Sequence, residues 1–276
     1  GIKVDNYFAS EIDVAAIKVS KSNYPNIKHI GNVINVKGSK LPKIDLLIGG
    51  SPCQSFSFVG TMSGMSTVDN IEINNLQQYL ELKEKNFNFK GQSYLFWEFI
   101  RLLKETKPKY FLLENVKMPK KWELVLNKAI GCNPIEINSN LVSAQNRRRL
   151  YWTNIPGVIK PKDKGIVFKD ILENLPFREL KPFVFGYYGE RQRIDTMRKI
   201  SSEKSNCLTT SKTHTNQYYL NDSKTAMRNL SPTEFEKLQT VPLNYTEGVS
   251  NTERYKMLGN GWTVDVIAHI FKNLKN

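Results

Sequence analysis

Short apolar runs alternate with amphipathic segments along the first half of the chain, and this alternation restricts the fold most. The predicted strands are Tyr7–Ser10, Ile44–Ile48 and Tyr110–Leu113, and the predicted helices between them include Val14–Ser20 and Tyr94–Thr106. Strands that alternate with helices in this way favour a parallel sheet covered by helices. We therefore predict an α/β fold, in which ligands bind where the strands end.

Composition narrows the class of protein. The chain has 276 residues, with 40 Lys and Arg against 26 Asp and Glu, which gives a formal net charge of +14. This excess favours a nucleic acid partner, although a generally lysine-rich protein has the same composition. The cysteines Cys53, Cys132 and Cys207 are widely spaced, so no zinc site or other metal site is expected. The apolar runs are too short to span a membrane and no export signal opens the chain, so we expect a cytoplasmic protein.

Two polar clusters follow predicted strands directly. In Gly49–Phe56, the glycines and the proline present Cys53 at the sheet edge, which is where a thiolate nucleophile is needed. A Gly-Pro turn with an incidental cysteine is the alternative. Glu114 closes the third strand, where partial desolvation would raise the pKa of its carboxyl group and suit it to proton transfer. A capping acid is the alternative there.

A third cluster, Gln145–Trp152, contains three consecutive arginines. Residues two apart in an extended segment point to the same side, so Arg147 and Arg149 can converge on one anion or carbonyl group. A solvated basic run is the alternative. The long stretch Ser57–Gln92 has a polar, helical middle over Asn75–Glu84, and a loop of this length inside a compact domain is usually functional, often as a lid.

Taken together and in this order, the clusters resemble the DNA (cytosine-5) methyltransferase family. The matching motifs are Pro52-Cys53-Gln54, Glu114-Asn115-Val116, Gln145-x-Arg147-x-Arg149, Arg228–Glu234 and Leu258–Val264. Within the family, the chain is similar both to bacterial and phage enzymes and to the catalytic domain of the animal de novo methyltransferases. The resemblance implies a class I methyltransferase fold dependent on S-adenosylmethionine: a Rossmann-like sheet with helices on both faces, plus a small target-recognition domain.

The resemblance also implies an activity and a role for each matched residue. A methyl group would pass from S-adenosylmethionine to C5 of a cytosine flipped out of duplex DNA. Cys53 would add to C6, Glu114 would engage N3 and the exocyclic amine, and Arg149 would hold the C2 carbonyl oxygen. Arg147 would support the phosphate and the thiolate. The implied cofactor contacts are Glu11, Ile12, Asn32, Val33, Pro52, Leu95, Asn260 and Gly261. The implied DNA contacts and positioning groups are Gln54, Ser57, Asn115, Gln145, Thr209 and Thr210.

By the same resemblance the chain divides into three parts. We predict a catalytic and cofactor domain over residues 1–155, a target-recognition domain over 156–225, and a return to the first domain over 226–276. The family begins with a strand and a Phe-x-Gly-x-Gly loop, whereas this sequence opens just downstream of them. We expect that this segment has been trimmed; the alternatives are that a separate chain supplies it or that cofactor binding is lost.

Two rival functions and one question of assembly stay open. A branch of the same family methylates tRNA with the same residues, so a tRNA cytosine-5 methyltransferase is the first rival. A catalytically silent DNA-binding partner subunit is the second. A homo-oligomer is a further expectation, because the animal relatives associate through this domain.

Overall fold

The structure, a computed structural model, describes residues 2–52, 56, 65–176, 178–179, 204–210, 218–220 and 226–274. Cys53, Gln54 and Ser57 therefore lie outside the described residues. The strands are β1 (Phe8–Ala9), β2 (Lys28–His29), β3 (Leu46–Gly50), β4 (Tyr110–Val116), β5 (Ile135–Asn138), β6 (Arg148–Thr153), β7 (Arg178–Glu179), β8 (Tyr218–Leu220) and β9 (Ala226–Asn229). The helices are α1 (Val14–Asn23), α2 (Leu76–Glu84), α3 (Phe96–Thr106), α4 (Lys120–Ile130), α5 (Phe168–Ile171), α6 (Pro232–Gln239), α7 (Asn251–Asn260) and α8 (Val264–Phe271).

The main sheet has four strands in the order β3-β4-β6-β5, and β1 and β2 form a separate parallel pair. β3 and β4 are parallel, whereas β6 runs antiparallel to both β4 and β5. The predicted α/β class is confirmed, but the sheet is mixed where we predicted a parallel one. The reason is the short connection of residues 139–147 between β5 and β6, because a parallel crossover needs roughly a dozen residues or more.

Helices cover both faces of this sheet, as predicted. Neighbouring residues of β4 point to opposite sides: Leu113 packs in the core formed with α3 and α4, and Leu112 packs in the core formed with α8. Helix α3 approaches β3 closely, since a Cβ atom on Gly49 would lie 2.6 Å from the ring of Phe99. Glycine at this position therefore lets the helix lie directly on the strand.

The long segment before α3 is part of the folded body where it is described. The predicted helix over Asn75–Glu84 is confirmed as α2, and the Asn75 side chain caps it by accepting a hydrogen bond from the Gln78 amide. Antiparallel bridges join Ser66 to Glu72 and Thr67 to Phe89. Residues 65–92 thus pack against the core, whereas residues 57–64 of the predicted lid lie outside the described residues.

A three-stranded antiparallel sheet, β7-β9-β8, lies within the region after residue 177. Helices α5 and α6 form a third apolar cluster, in which Phe168 and Ile171 pack with Phe235 and Leu238. The three-domain division stays a prediction, because much of 156–225 lies outside the described residues. Across the described ranges, the structure contains no helix with the length and hydropathy of a membrane span.

Candidate active site

The parallel pairing of β3 and β4 places the turn that leads to Cys53 beside Glu114. Gly50, the last residue of β3, is the register partner of Glu114. The next residue, Ser51, is held by Asn115, whose Nδ2 donates to Ser51 Oγ at 2.8 Å and to Ser51 O at 3.3 Å. Asn115 is buried, so in the described structure it acts as a positioning residue for this turn.

The first described residue beyond Cys53 is also anchored. Phe56 is fully buried and packs against Trp122 of α4, with ring centroids 6.2 Å apart. The described residues on both sides of Cys53 are therefore attached to the core, one by hydrogen bonds to a strand end and the other by an aromatic contact.

Glu114 is a nearly buried carboxylate with two side-chain partners. Arg149 Nε lies 2.9 Å from its Oε1, and Trp262 Nε1 donates to its Oε2 at 3.1 Å. Burial raises the pKa of Glu114, and the guanidinium groups of Arg149 and Arg147 and the indole N–H offset this only in part. The raised pKa expected from the strand-end position is confirmed. A carboxyl group with a raised pKa keeps its proton to higher pH than an ordinary carboxyl group, and it can donate that proton to an acceptor.

Arg147 and Arg149 converge as their spacing predicts. Both guanidinium groups contact the thiol of Cys207, with Arg147 Nη1 at 3.2 Å and Arg149 Nη2 at 3.8 Å from Sγ. Because Arg149 also pairs with Glu114, the two cations and one carboxylate leave the cluster with a net positive charge. Such a cluster is suited to hold a carbonyl oxygen or a phosphate.

Arg147 is enclosed by main-chain carbonyl groups. It donates to Leu208 O at 3.2 Å, to Gly259 O at 3.1 Å and to Gly261 O at 2.8 Å, while the residue is only 3% exposed. These contacts join residues 204–210 to the turn after α7. The predicted role of Arg147 at a phosphate stays a prediction, and the contacts described are all within the protein.

Gln145, expected among the DNA contacts and positioning groups, is fully buried. Its Oε1 accepts from Leu208 N at 2.9 Å, and its Nε2 donates to Leu238 O and Gln239 Oε1, each at 3.2 Å. A contact between Gln145 and DNA would require these hydrogen bonds to be exchanged. In the described structure the residue holds the 204–210 segment against α6.

Thr209 and Thr210, in contrast, are exposed. Their main chain lies directly on α7, because a Cβ atom on Gly259 would come within 2.5 Å of Thr209 O. Only glycine permits this approach. The two threonines are thus exposed on a segment whose main chain packs against α7, and their contact with a phosphate stays a prediction.

The residues expected at the cofactor lie at two neighbouring strand ends. Glu11 follows β1 and Asn32 follows β2, and Ser10 Oγ donates to Gly31 O at 2.7 Å between the two strand ends. Ile12, beside Glu11, is 64% exposed. Val33 begins a 3-10 turn that the Asn32 side chain caps through the Ile34 amide.

Other contacts bring the remaining expected cofactor residues toward these strand ends. Lys256 of α7 pairs with Asp13, the N-cap of α1, at 2.6 Å, so the end of α7 at Asn260 and Gly261 lies one turn beyond a contact with the Glu11 region. Leu95 lies one turn before Phe99, which packs on the end of β3 near Pro52. Helices α3 and α7 thus border the same edge from two sides.

The whole chain fits one family of proteins. Residues 1–127 and 137–276 match the profile described as C-5 cytosine-specific DNA methylase. The chain belongs to this family. Family membership makes it a methyltransferase of the cytosine-5 class.

Two curated relatives of this methylase come from a bacterium and a phage. The type II methyltransferase M1.ScrFI of Lactococcus lactis subsp. cremoris is 27% identical over 314 residues, which cover 99% of this chain and 72% of the relative. The orphan methyltransferase M.SPRI of Bacillus phage SPR is 27% identical over 277 residues, covering 93% of this chain and 54% of the relative. The chain therefore spans between about half and three quarters of these two relatives.

Solved structures support the fold of this methylase. The Entamoeba histolytica methyltransferase EhMeth gives a TM-score of 0.64 at 16% identity, with 98% of this chain and 90% of that chain covered. The S. pombe Dnmt2 methyltransferase gives 0.63 at 16% identity, with 98% and 89% covered. The class I methyltransferase fold implied by the sequence is thus confirmed.

The chemistry of the strand-end residues of this methylase fits an adenosyl group. Glu11 uses one carboxylate oxygen, Oε1, for the amides of Ile12 and Asp13 at 2.6 and 2.8 Å, and its second oxygen has no hydrogen bond to a described residue. A carboxylate oxygen of this kind accepts readily from ribose hydroxyl groups. The exposed side chain of Ile12 offers an apolar surface to a base, and the oxygen of Asn32 retains a lone pair beside the one used by Ile34.

Three residues that complete the site were not among the predicted site residues. Trp262 binds Glu114, Cys207 binds both arginines, and Gln239 accepts from Thr263 Oγ1 at 2.9 Å while it donates to Leu258 O. Trp262 lies within the matched motif Leu258–Val264, Gln239 follows the matched motif Arg228–Glu234 by five residues, and Cys207 lies two residues before Thr209. The sequence signal that could have identified them is the residue type: a polar aromatic, a thiol and an amide, each within or close to a matched motif or a predicted site residue.

Proposed function

We propose that this chain transfers a methyl group from S-adenosylmethionine to C5 of cytosine in duplex DNA, with Cys53 as the nucleophile. The observation that carries the proposal is Glu114: a carboxyl group with a raised pKa, bound by Arg149 and Trp262, in register with the strand end that leads to Cys53. Such a group can protonate or hydrogen-bond N3 of a cytosine while a thiolate adds to C6.

The residues would divide the chemistry as follows. The Cys53 thiolate adds to C6, and the electron pair of the C5–C6 double bond moves toward N3, where Glu114 supplies a proton. Arg149 holds the C2 carbonyl oxygen, since its guanidinium group already lies beside Glu114. S-adenosylmethionine, when bound, supplies the electrophilic methyl group. C5 would form its bond to the methyl group as the bond from that group to the donor sulfur breaks. C5 then loses its proton to a base, Cys53 leaves C6 as the thiolate, and N3 returns its proton to Glu114, which restores the aromatic ring.

We propose that Glu11, Ile12, Asn32 and Leu95 hold the adenosyl part of the cofactor. Thr209 and Thr210 would contact DNA phosphate, because both are exposed on a segment that Arg147 fixes. Duplex DNA as substrate is supported by the net charge of +14 and by the type II and phage methyltransferases among the relatives. Their setting also supports a cytoplasmic enzyme that methylates DNA for restriction protection or for a phage.

The resemblance expects one further strand with a glycine-rich loop. Among the described strands, β1 pairs with β2 alone and β3 pairs with β4 alone. The other edge of β1 and the other edge of β3 have no partner among these strands, and a parallel strand can pair there. We propose that residues upstream in the same polypeptide, or a separate polypeptide, supply this strand.

The test is transfer of a labelled methyl group from S-adenosylmethionine to duplex DNA. It compares the 276-residue chain, a version extended upstream, and Cys53→Ser in each, with a tRNA transcript as parallel substrate. We expect incorporation into DNA that the serine variant abolishes. Incorporation into tRNA alone would replace the DNA proposal with the RNA one, and no incorporation into either by any version would favour a silent DNA-binding subunit.

A further inference from the structure

A buried carboxylate network lies between α2, α3 and the segment that follows β2. Glu98 of α3 is fully buried, and its Oε1 accepts from Tyr79 Oη at 2.5 Å and from Lys83 Nζ at 2.6 Å. Its Oε2 accepts from Arg101 Nε at 2.7 Å. Burial and the bond to Glu98 raise the pKa of Tyr79, so its hydroxyl group remains a donor. All of these groups lie outside the proposed catalytic site.

The two cations of this network also reach the main chain after β2. Lys83 Nζ donates to Ile34 O at 3.2 Å, and Arg101 Nη2 donates to Val33 O at 3.1 Å. Both carbonyl groups belong to the 3-10 turn that starts directly after Asn32. Each cation therefore joins the buried carboxylate to the turn that follows a proposed cofactor contact.

The far end of the same segment is attached to α3 as well. Gly38 N donates to Glu105 Oε2 at 2.7 Å, and a Cβ atom on Gly38 would lie 2.6 Å from Cβ of Glu105. Burial alone would raise the pKa of Glu105, but the hydrogen bonds from Arg101 and Gly38 outweigh it, and the pKa is lowered. Glu105 thus stays charged and keeps both partners.

The start of this segment is only partly buried. The 3-10 turn Val33–Asn35 contains no buried residue, and Val36 is the first residue after it to be buried. The hydrogen bonds from Lys83 and Arg101 therefore add to the partial burial and to the Asn32 cap in holding the turn. Of these two residues, Lys83 comes from α2, which belongs to the long segment between Cys53 and α3.

We propose that Lys83 is a positioning residue for the cofactor: through Glu98 it ties helix α2 to the segment 33–38 and so sets where Asn32 and Val33 meet the adenosyl group. This inference rests on the proposed function for the identity of the ligand. Lys83 also connects α2, which lies in the segment between Cys53 and α3, to the residues proposed to bind the cofactor. One helix would therefore contact both the nucleophile-bearing segment and the cofactor-binding segment.

The experiment compares Lys83→Met with Lys83→Arg, which can still donate, and with Lys85→Met. Lys85 is exposed at the end of the same helix, and its ammonium group makes no hydrogen bond or ion pair with a described residue. Hydrogen exchange of the amides of residues 33–38 is measured first. Titration with S-adenosylhomocysteine and the kcat and KM for S-adenosylmethionine follow, on the version of the chain that is active in the methyl-transfer assay.

We expect exchange in 33–38 to be about fivefold faster in Lys83→Met, with exchange in β4 and α8 unchanged. The Kd for S-adenosylhomocysteine and the KM should rise about five- to tenfold while kcat changes less than about twofold. Lys83→Arg should recover most of the loss, and Lys85→Met should match the unsubstituted chain.

Two results would overturn the inference. One is exchange in 33–38 that is the same in Lys83→Met as in Lys85→Met, and the other is faster exchange spread evenly over the chain, which would mean general destabilisation. If the unsubstituted chain binds no S-adenosylhomocysteine, the cofactor part of the proposed function fails, and the exchange data still decide whether Lys83 holds the segment.

Discussion

Glu114 in β4 and Glu236 in α6 are both buried carboxylates, yet their surroundings shift their pKa values in opposite directions. Glu236 is fully buried, and it accepts hydrogen bonds from the amides of Asn244 and Thr246, from the Thr246 hydroxyl group and from Arg254. Burial alone would raise its pKa, but these donors outweigh burial and the pKa is lowered. At Glu114 burial dominates and the pKa is raised.

The difference lies in the number of donors that each region provides. The loop after α6 turns its amides toward Glu236, so that carboxylate is stabilised as an anion and holds the corner between α6 and α7 together. Within the described part of the chain, only Arg149 and Trp262 donate to the Glu114 carboxylate from their side chains. A carboxylate with too few donors for its burial is poised to bind a proton, and one with enough donors serves the fold.

The largest expected effect comes from Glu114→Gln. The amide keeps the size of the side chain but cannot transfer a proton to N3, so the rate of methyl transfer should fall about 10²- to 10³-fold. Single-turnover assays with labelled S-adenosylmethionine measure it. Gln can still accept from Trp262, whereas Arg149 loses its ion pair, so the melting temperature should fall, but less than in Glu236→Gln. A loss of activity that follows unfolding would contradict the assignment.

Glu236→Gln should give the reverse result. Removing the charge leaves Arg254 without its ion pair and several amides with a weaker acceptor, so the free energy of unfolding should fall by about 3 kcal/mol. Urea denaturation followed by circular dichroism measures this. At a temperature where the variant is folded, its kcat should lie within about threefold of the original, and a loss comparable to that of Glu114→Gln would break the comparison.

The two carboxylates should also change the pH dependence of the free energy of unfolding in opposite directions. The contribution of Glu236, whose folded pKa is lowered, is present above its unfolded pKa and is lost as pH falls through the folded value. Glu114, whose folded pKa is raised, makes the folded state gain stability as pH falls from its folded pKa toward the ordinary carboxyl value. Urea midpoints are measured across a pH series. The loss of stability at low pH should disappear in Glu236→Gln and persist in Glu114→Gln, and the gain of stability should disappear in Glu114→Gln and persist in Glu236→Gln.

The smallest effect is expected for Trp262→Phe, which removes the N–H donor to Glu114 but keeps an aromatic ring. The hydrogen bond lowers the pKa of Glu114, so its loss should raise that pKa further and move the pH profile of methyl transfer to higher pH, with a change in rate of about threefold. Trp152→Phe is the matched control, since it removes an indole donor that binds Asn127 at 2.7 Å. It should leave the pH profile unchanged.

Local patterns predicted the strand ends well. Gly50 ends β3 and Glu11 follows β1 by two residues, because short buried strands have a clear apolar signal. The strand predicted to end before Glu114 continues to Val116, so Glu114 lies within β4, near its end. The spacing of Arg147 and Arg149 likewise predicted their convergence, since alternation in an extended segment is a local property.

Contacts between distant parts of the chain could not be predicted in the same way. The antiparallel direction of β6 depends on pairing with β4, and the enclosure of Gln145 depends on Leu208 and Leu238. No local periodicity encodes which carbonyl a buried amide will meet. The role of Lys83 was hidden for the same reason, because Ile34 lies 49 residues before it.

The contact between Trp262 and Glu114 spans 148 positions of the chain. During synthesis on a ribosome, the β3–β4 edge and Arg149 are complete long before residue 262 leaves the exit tunnel. A growing chain therefore presents Glu114 without its indole donor, and the carbonyl groups of Gly259 and Gly261 that fix Arg147 are also still missing. A polypeptide that ends before this turn would therefore lack both the indole donor to Glu114 and the carbonyl groups that enclose Arg147.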